Sequence, residues 1–482
     1  MSGANASGAV DVVRAHVEQV WDHDVLPSLM DYIAIPCVSV HFDPAWRDNG
    51  HLDRAVEHIR SWCAARTIAG LTVDVLELPG RTPIILAEVP AFLPEQHSAP
   101  HGDTVLLYGH CDKQPEMVGW RDDLGPWKPV LEGNRLYGRG GADDGYAAYA
   151  ALLGIEAAQR AGIPHARCLV LIEAAEESGS PDLPAYMDAY ADRFGSPSLV
   201  VCLDSGCLDH RRLWVTTSLR GMAGGTLRVD VLREGVHSGM ASGVVPSTFR
   251  IIRQLLDRIE DAETGRVLLP RLHVDIPPDR RAQMEETAGE FTIGDDFPWV
   301  HDHVKPMETD PLEQLIATTW RPTVSYIGSE GMPEVAKAGN VLRPQTTMQL
   351  SVRLPPTCDP DMALEELTNA LLADPPYNAR VQFLDGFAGP GWNAPAFSDW
   401  LDAALTDASI EVFGEPYRAF GEGGSIPFMG MLGDRFPDAQ FVITGALGPD
   451  SNAHGPNEYL DVATARRITR CVAHLLGSHA TR

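Results

Sequence analysis

The sequence is short of positive charge. Against 66 acidic residues it carries 38 Lys and Arg, a formal charge of -28 over 482 residues, so nucleic acid and anionic membrane are excluded as main partners. No window approaches the ~18 apolar residues of a membrane span, and MSGANASGAVDVV has neither the basic start nor the apolar core of a secretory leader. CxxC pairs are missing as well. The eight cysteines (Cys37, Cys63, Cys111, Cys168, Cys202, Cys207, Cys358, Cys471) are scattered without framework spacing, which reads as reduced thiols in a cytoplasmic protein. HExxH, an EF-hand loop and a GxSxG elbow are all absent, and GRGGADDG does not keep the spacing of a dinucleotide fingerprint. Cys111 is a poor candidate nucleophile, because it lies between His110 and Asp112 and points the opposite way along a strand.

What is present is a chain with 44% hydrophobic content, long enough to need two domains. An amphipathic helix is expected over Val12 to Tyr32. TVLLYGHCD, CLVLIEAAEE and SLVVCLDSG are short apolar runs separated by the helical patterns ADDGYAAYAALLGIEAAQRAG and DLPAYMDAYADRF. Strand and helix therefore alternate, as in an α/β sheet with parallel crossovers. Each run ends in ionisable residues: His110 and Asp112, Glu176 and Glu177, Asp204. The carboxyl ends of parallel strands form the crevice where ligands bind, so these groups should meet on one rim. From about Trp214 the pattern changes to alternating strands (GTLRVDVLREG, TTMQLSVRLPP, VQFLDG) and two helices (STFRIIRQLLDRIED, DMALEELTNALLAD), a smaller α+β domain inserted in the first. The boundaries fall at 1–214, 215–386 and 387–482. Residues 270–331 show weak periodicity and read mostly as loops. The tail returns with a helix from Ser398 to Phe413, the run AQFVITGAL, a loop bearing His454 and a terminal helix.

Taken singly, the candidate residues are ordinary. Asp143 is a helix N-cap, the Glu176–Glu177 pair a solvated strand end, and Asp204 and His454 are loop residues. Taken together they are carboxylates and imidazoles brought to one rim, the donor set that two hard divalent cations require.

In order along the chain, GHCDKQPE, LYGRGGADDG, EAAEESGS, LDSG, VHSG, EGGSIP and AHGPNE resemble the signature blocks of the co-catalytic di-metal peptidase family. That family includes carnosinase-type dipeptidases, glutamate-releasing carboxypeptidases, aminoacylase-1 and succinyl-diaminopimelate desuccinylase, and the dipeptidase branch is the most similar. The resemblance implies a mixed, mainly parallel catalytic sheet flanked by helices, with the inserted domain serving as lid and dimerisation surface. His110, Asp143 and Asp204 would hold one metal and Asp143, Glu177 and His454 the other, with zinc, manganese or cobalt suited to the set. Asp112 would orient His110, and Glu176 would be the general base acting on a metal-bridging water. His237 would stabilise the oxyanion, in related dimers from the other subunit. Asn340, Arg353, Gly424 and Ser425 would contact the substrate. Gly145 is a departure, standing where the family usually has Lys. The expected activity is hydrolysis of an amide bond in a small substrate with a free carboxylate. A deacylase of N-acyl amino acids would use the same site, and a catalytically silent, metal-stabilised binding protein is the alternative from another class.

Overall fold

The computed structural model describes residues 3–94, 103–301, 303–424 and 426–482. The chain forms two compact units. One runs up to Thr216 and returns with Ala394–Ala419 and Met431–Arg482, and the other comprises Thr217–Asn393 with Phe420–Gly430.

The first unit is built on a mixed sheet. Its strands lie in the order Thr72–Leu76, Ile84–Val89, Arg167–Glu173, Thr104–His110, Pro197–Cys202, Gln440–Ile443 and Trp214–Leu219, the last carrying the chain into the second unit. The three central joints are parallel and the flanking ones antiparallel. TVLLYGH forms the middle strand because every one of its residues is buried, as a two-sided parallel strand requires. Register places His110 opposite Glu173 at the ends of two central strands, while Cys202, the end of the third, stands opposite Tyr108, so the chain runs two residues further to reach Asp204. The helix Tyr146–Arg160, buried along all but its last turn, covers one face. It packs closely because Gly109 has no side chain: a Cβ there would lie 2.5 Å from Ala147 Cβ and 2.7 Å from Asp144 Oδ2. This α/β architecture agrees with the sequence reading.

The amino-terminal helical region is broken where one helix was expected. Gly3–Val20 and Leu26–Ile33 are α-helical, and Trp21–Val25 forms a wider turn between them. Pro27 has no N–H to return to the preceding turn, which accounts for the interruption.

The second unit is a four-stranded antiparallel sheet in the order Thr323–Glu330, Gln345–Leu354, Gly221–Asp230 and Arg380–Gly389. Helices Thr248–Leu256 and Pro360–Leu372 supply Ile251, Ile252, Leu255, Leu367 and Leu371 to its core, against Leu227, Val229, Leu350 and Val352. Residues 270–331 differ from the expectation of loops. They contain helices Pro278–Ala288 and Pro311–Thr319 and the edge strand Thr323–Glu330, with a small core of Met284, Leu315, Ile316 and Trp320. Among the described residues no helix is long and apolar enough to cross a membrane, and all eight cysteines are free and buried.

Candidate metal centre

The neighbouring strand ends bring the polar residues of the first unit together. Asp143 lies in the turn that precedes the helix Tyr146–Arg160, and its Oδ1 is 3.2 Å from His110 Nε2. Its Oδ2 is 2.9 Å from His454 Nε2, which in turn is 3.4 Å from Glu177 Oε2. Asp204 Oδ2 stands 3.7 Å from His110 Nε2. Two sets of potential metal donors result, His110 with Glu176 and Asp204, and His110 with Asp143 and Glu177, each within 4.8 Å of one another.

Asp112 serves the double acid more directly than it serves His110. Its two carboxylate oxygens accept the main-chain N–H groups of Glu176 and Glu177, both at 3.0 Å. His110 Nδ1 lies 3.1 Å from the main-chain oxygen of Asp112 and 3.5 Å from its carboxylate. Nδ1 is thus turned toward Asp112, and Nε2 toward Asp143 and Asp204. Cys111 is fully buried, and burial and Asp112 push its thiol well above the usual range.

The electrostatics of the cluster fit cations. Burial, reinforced by Asp143, pushes the Glu177 carboxyl up to about 8. Burial opposes a charge on His110 too, but Asp204 and the hydrogen bonds to Asp112 and Asp143 overcome it and hold its pKa well above the ordinary value. Glu177 Oε1 is buried with no hydrogen-bond partner. An unpartnered carboxylate oxygen, among acids crowded so tightly that they compete for protons, is what a divalent ion with oxygen and imidazole ligands would relieve.

Several residues that sequence reasoning did not single out hold this arrangement. Gln114 Nε2 donates to Glu177 Oε2 at 2.7 Å. Arg139, fully buried, pairs with the buried Glu458 and donates to the carbonyls of His454 and Gly455 at 2.9 Å each. Glu458 Oε1 also accepts the Gly140 N–H at 2.9 Å. One ion pair therefore fixes both the His454 loop and the turn leading to Asp143. Its only sequence signal is an Arg and a Glu inside the glycine-rich blocks LYGRGG and HGPNE. At Gly145 a Cβ would lie 2.2 Å from the Tyr32 ring, so the space where Lys was expected is filled by an aromatic side chain.

The remaining candidates belong to the second unit. His237 is exposed and pairs with Val341, and Asn340 O accepts the Ser238 N–H at 2.8 Å, which makes His237 and Asn340 neighbours. Arg353 is half-buried opposite Thr323 and Met222. Beside it is Arg220, which the sequence reading passed over: Nη1 donates to Thr323 Oγ1 at 3.1 Å, Nε to Gly423 O at 3.2 Å, and its main-chain N–H to Gly424 O at 3.1 Å. Burial and the Arg353 charge push the Arg220 pKa down to about 10. Arg353 and Gly424 are thus linked through Arg220, while Ser425 lies outside the described residues.

Comparison with known proteins bears on this constellation. The family described as Peptidase family M20/M25/M40 matches residues 106–478. A cysteinylglycine-S-conjugate dipeptidase from Corynebacterium striatum is 28% identical over 392 residues, 78% of this chain and 82% of that protein. Among solved structures, the dipeptidase Dug1p from Saccharomyces cerevisiae superposes with a TM-score of 0.77 at 21% identity, covering 98% of this chain and 99% of the other. Human carnosine dipeptidase 1 gives 0.73 at 21% identity, covering 98% and 100%.

Proposed function

This chain belongs to peptidase family M20/M25/M40, and from that membership we propose that it is a two-metal dipeptidase acting on a small peptide with a free carboxylate. Metal-dependent hydrolysis of small peptides is the activity that goes with the family and with its dipeptidase relatives. In our reading His110, Asp143 and Asp204 would hold one ion and Asp143, Glu177 and His454 the other, with zinc favoured and manganese or cobalt also suited to mixed N/O donors. When bound, such ions acidify water and polarise the scissile carbonyl.

The chain's own residues do the rest. Glu176 takes the proton of the attacking water and returns it to the departing amine. Burial, with Asp204 and then Glu177 nearby, raises its carboxyl well above the usual range. Asp112 fixes the main chain of both glutamates through its two carboxylate oxygens. His237 and Asn340 would face the developing oxyanion, while Arg353, with Gly424 and Ser425, would take the substrate carboxylate, for which a guanidinium fork is well shaped. We place the enzyme in the cytoplasm, in keeping with its eight free cysteines, as a homodimer formed through the second unit.

The observation that carries the reading is the chain of close contacts His110–Asp143–His454–Glu177, with His110, Asp143 and Glu177 donor atoms all within 4.8 Å of one another and the second Glu177 oxygen buried without a partner. The deciding experiment sets dipeptides against N-acyl amino acids after divalent ions are restored. Release of free amino acids from dipeptides is expected, including the Cys-Gly type that its relatives' names print. Turnover confined to N-acyl amino acids would make the chain a deacylase. Tight ion binding with no turnover of either class would make it a binding protein.

A further inference from the structure

Lys113 follows Asp112 directly and is fully buried. Its ammonium group donates to three main-chain carbonyls, those of Tyr32 and Ile35 at 2.9 Å and Ile33 at 3.3 Å. These lie at the carboxyl end of the helix Leu26–Ile33, where a cation complements the helix dipole. The same group stands 4.0 Å from the centroid of the Tyr32 ring, whose hydroxyl donates to Cys111 O at 3.0 Å. Main-chain bonds run alongside: Lys113 N–H to Cys37 O at 3.0 Å and Ser39 N–H to Lys113 O at 2.9 Å. Residues 32–39 and the strand end 110–113 are therefore joined through one side chain and its own backbone.

The stem of Lys113 bears on a third segment. A Cβ on Gly140 would meet Lys113 Cε and Cγ at 2.6 Å and Cδ at 2.7 Å, so the glycine is in direct contact with the lysine chain. From another direction the Gly140 N–H is held by Glu458. Gly140 begins the short turn that presents Asp143. Asp112, the residue before Lys113, carries the main chain of Glu176 and Glu177 on its carboxylate. A displacement at position 113 would reach Asp112 and both glutamates on one side and Asp143 on the other.

We propose that Lys113 is a positioning residue of the metal centre, a buried cation that locks the strand end bearing His110 and Asp112 against the glycine turn bearing Asp143 and thereby sets the affinity for the divalent ions. It touches neither substrate nor reacting atoms. The proposal rests on the two-metal reading above, and its failure can be told apart from failure of that reading.

The test is direct ion titration of chelator-stripped protein with zinc, read by elemental analysis and calorimetry, on the wild type and on Lys113→Met. Methionine keeps an unbranched stem against Gly140 and removes the three donors. Zinc affinity is expected to fall by about 10–100-fold, the range seen when groups that orient metal ligands are lost. Activity at saturating zinc should show a lower kcat with KM little changed. A role in stability alone predicts a lower melting temperature with zinc affinity within about twofold of wild type, and that result in a folded variant would overturn the proposal. Lys113→Gln supplies a second reading, since it keeps a buried polar head and removes the charge without touching the Gly140 turn. If Lys113→Met does not fold, Lys113→Gln decides: zinc binding weakened by about 10-fold or more supports the proposal and binding within about twofold of wild type overturns it. A wild type that takes up no zinc would instead sink the two-metal reading itself.

Discussion

Glu176 and Glu177 are adjacent in the chain, yet their carboxylates meet different surroundings. Glu177 Oε2 takes a hydrogen bond from Gln114 and faces His454, with Oε1 buried and unpartnered, whereas Glu176 groups with His110 and Asp204. If Glu177 is the ligand and Glu176 the base, Glu176→Gln should retain ions and substrate while kcat drops by roughly 10²–10⁴, the usual contribution of a placed general base. Glu177→Gln should release an ion. Equal loss of metal from both variants would show that the two roles have been assigned wrongly. The side chains that form this cluster were legible because each ends an apolar run or sits in a polar block at a strand's carboxyl end. Arg139, Glu458 and Lys113 were not, because what they contact is set by tertiary packing. Arg139 and Glu458 meet across 319 residues of sequence, and no local pattern foretells that pairing.

Among the elements, the carboxyl-terminal helix Val462–Thr481 shows how a buried titratable group can tie local packing to pH. His479 is fully buried, with Nε2 2.9 Å from Ser198 Oγ and its ring 5.7 Å from that of Trp400. Burial, aided by the Arg482 charge, pushes its pKa down to about 4. An unfolded chain protonates this histidine near pH 6.5, so below that pH the unfolded state binds a proton that the folded state refuses. The contribution of the neutral ring to stability is thus complete above about pH 6.5 and is lost as pH falls toward 4, by up to ~3 kcal/mol on the scale of 1.36 kcal/mol per pKa unit. His479→Gln should lower stability at pH 7 through lost packing but flatten the acid-side decline, as compared by urea midpoints at pH 7 and pH 5. Parallel declines in the two proteins would contradict the assignment. Elements of this kind were legible to different degrees for a physical reason. TVLLYGH and RCLVLIE are buried on both faces and so read as continuous apolar runs. PDRRAQMEETA buries only Arg280, Met284 and Thr287, and the edge strand TVSYIGSE has no buried residue, so neither has an apolar period to find.

For the whole molecule, the open choice is which chain supplies the residues that would complete each site. His237 is exposed on the second unit, and around it Met240 and Val244 are 86% and 85% exposed while Val341, its strand partner, is 40% exposed. Apolar side chains left so bare beside a candidate catalytic histidine suit a surface that a second copy covers. If they are covered in that way, His237 is positioned to serve the neighbouring chain, and mixtures of two defective proteins become informative. His237→Ala and Glu176→Gln should each be nearly inactive alone. In a heterodimer of the two, a histidine acting across the interface gives one site with both defects and one with neither, so subunit exchange should restore activity. A histidine acting within its own chain leaves every site with one defect, and no activity returns. Recovery that tracks the heterodimer fraction supports the shared site; no recovery, with exchange confirmed independently by mass-tagged subunits, rules it out, and a monomer by light scattering would do so sooner.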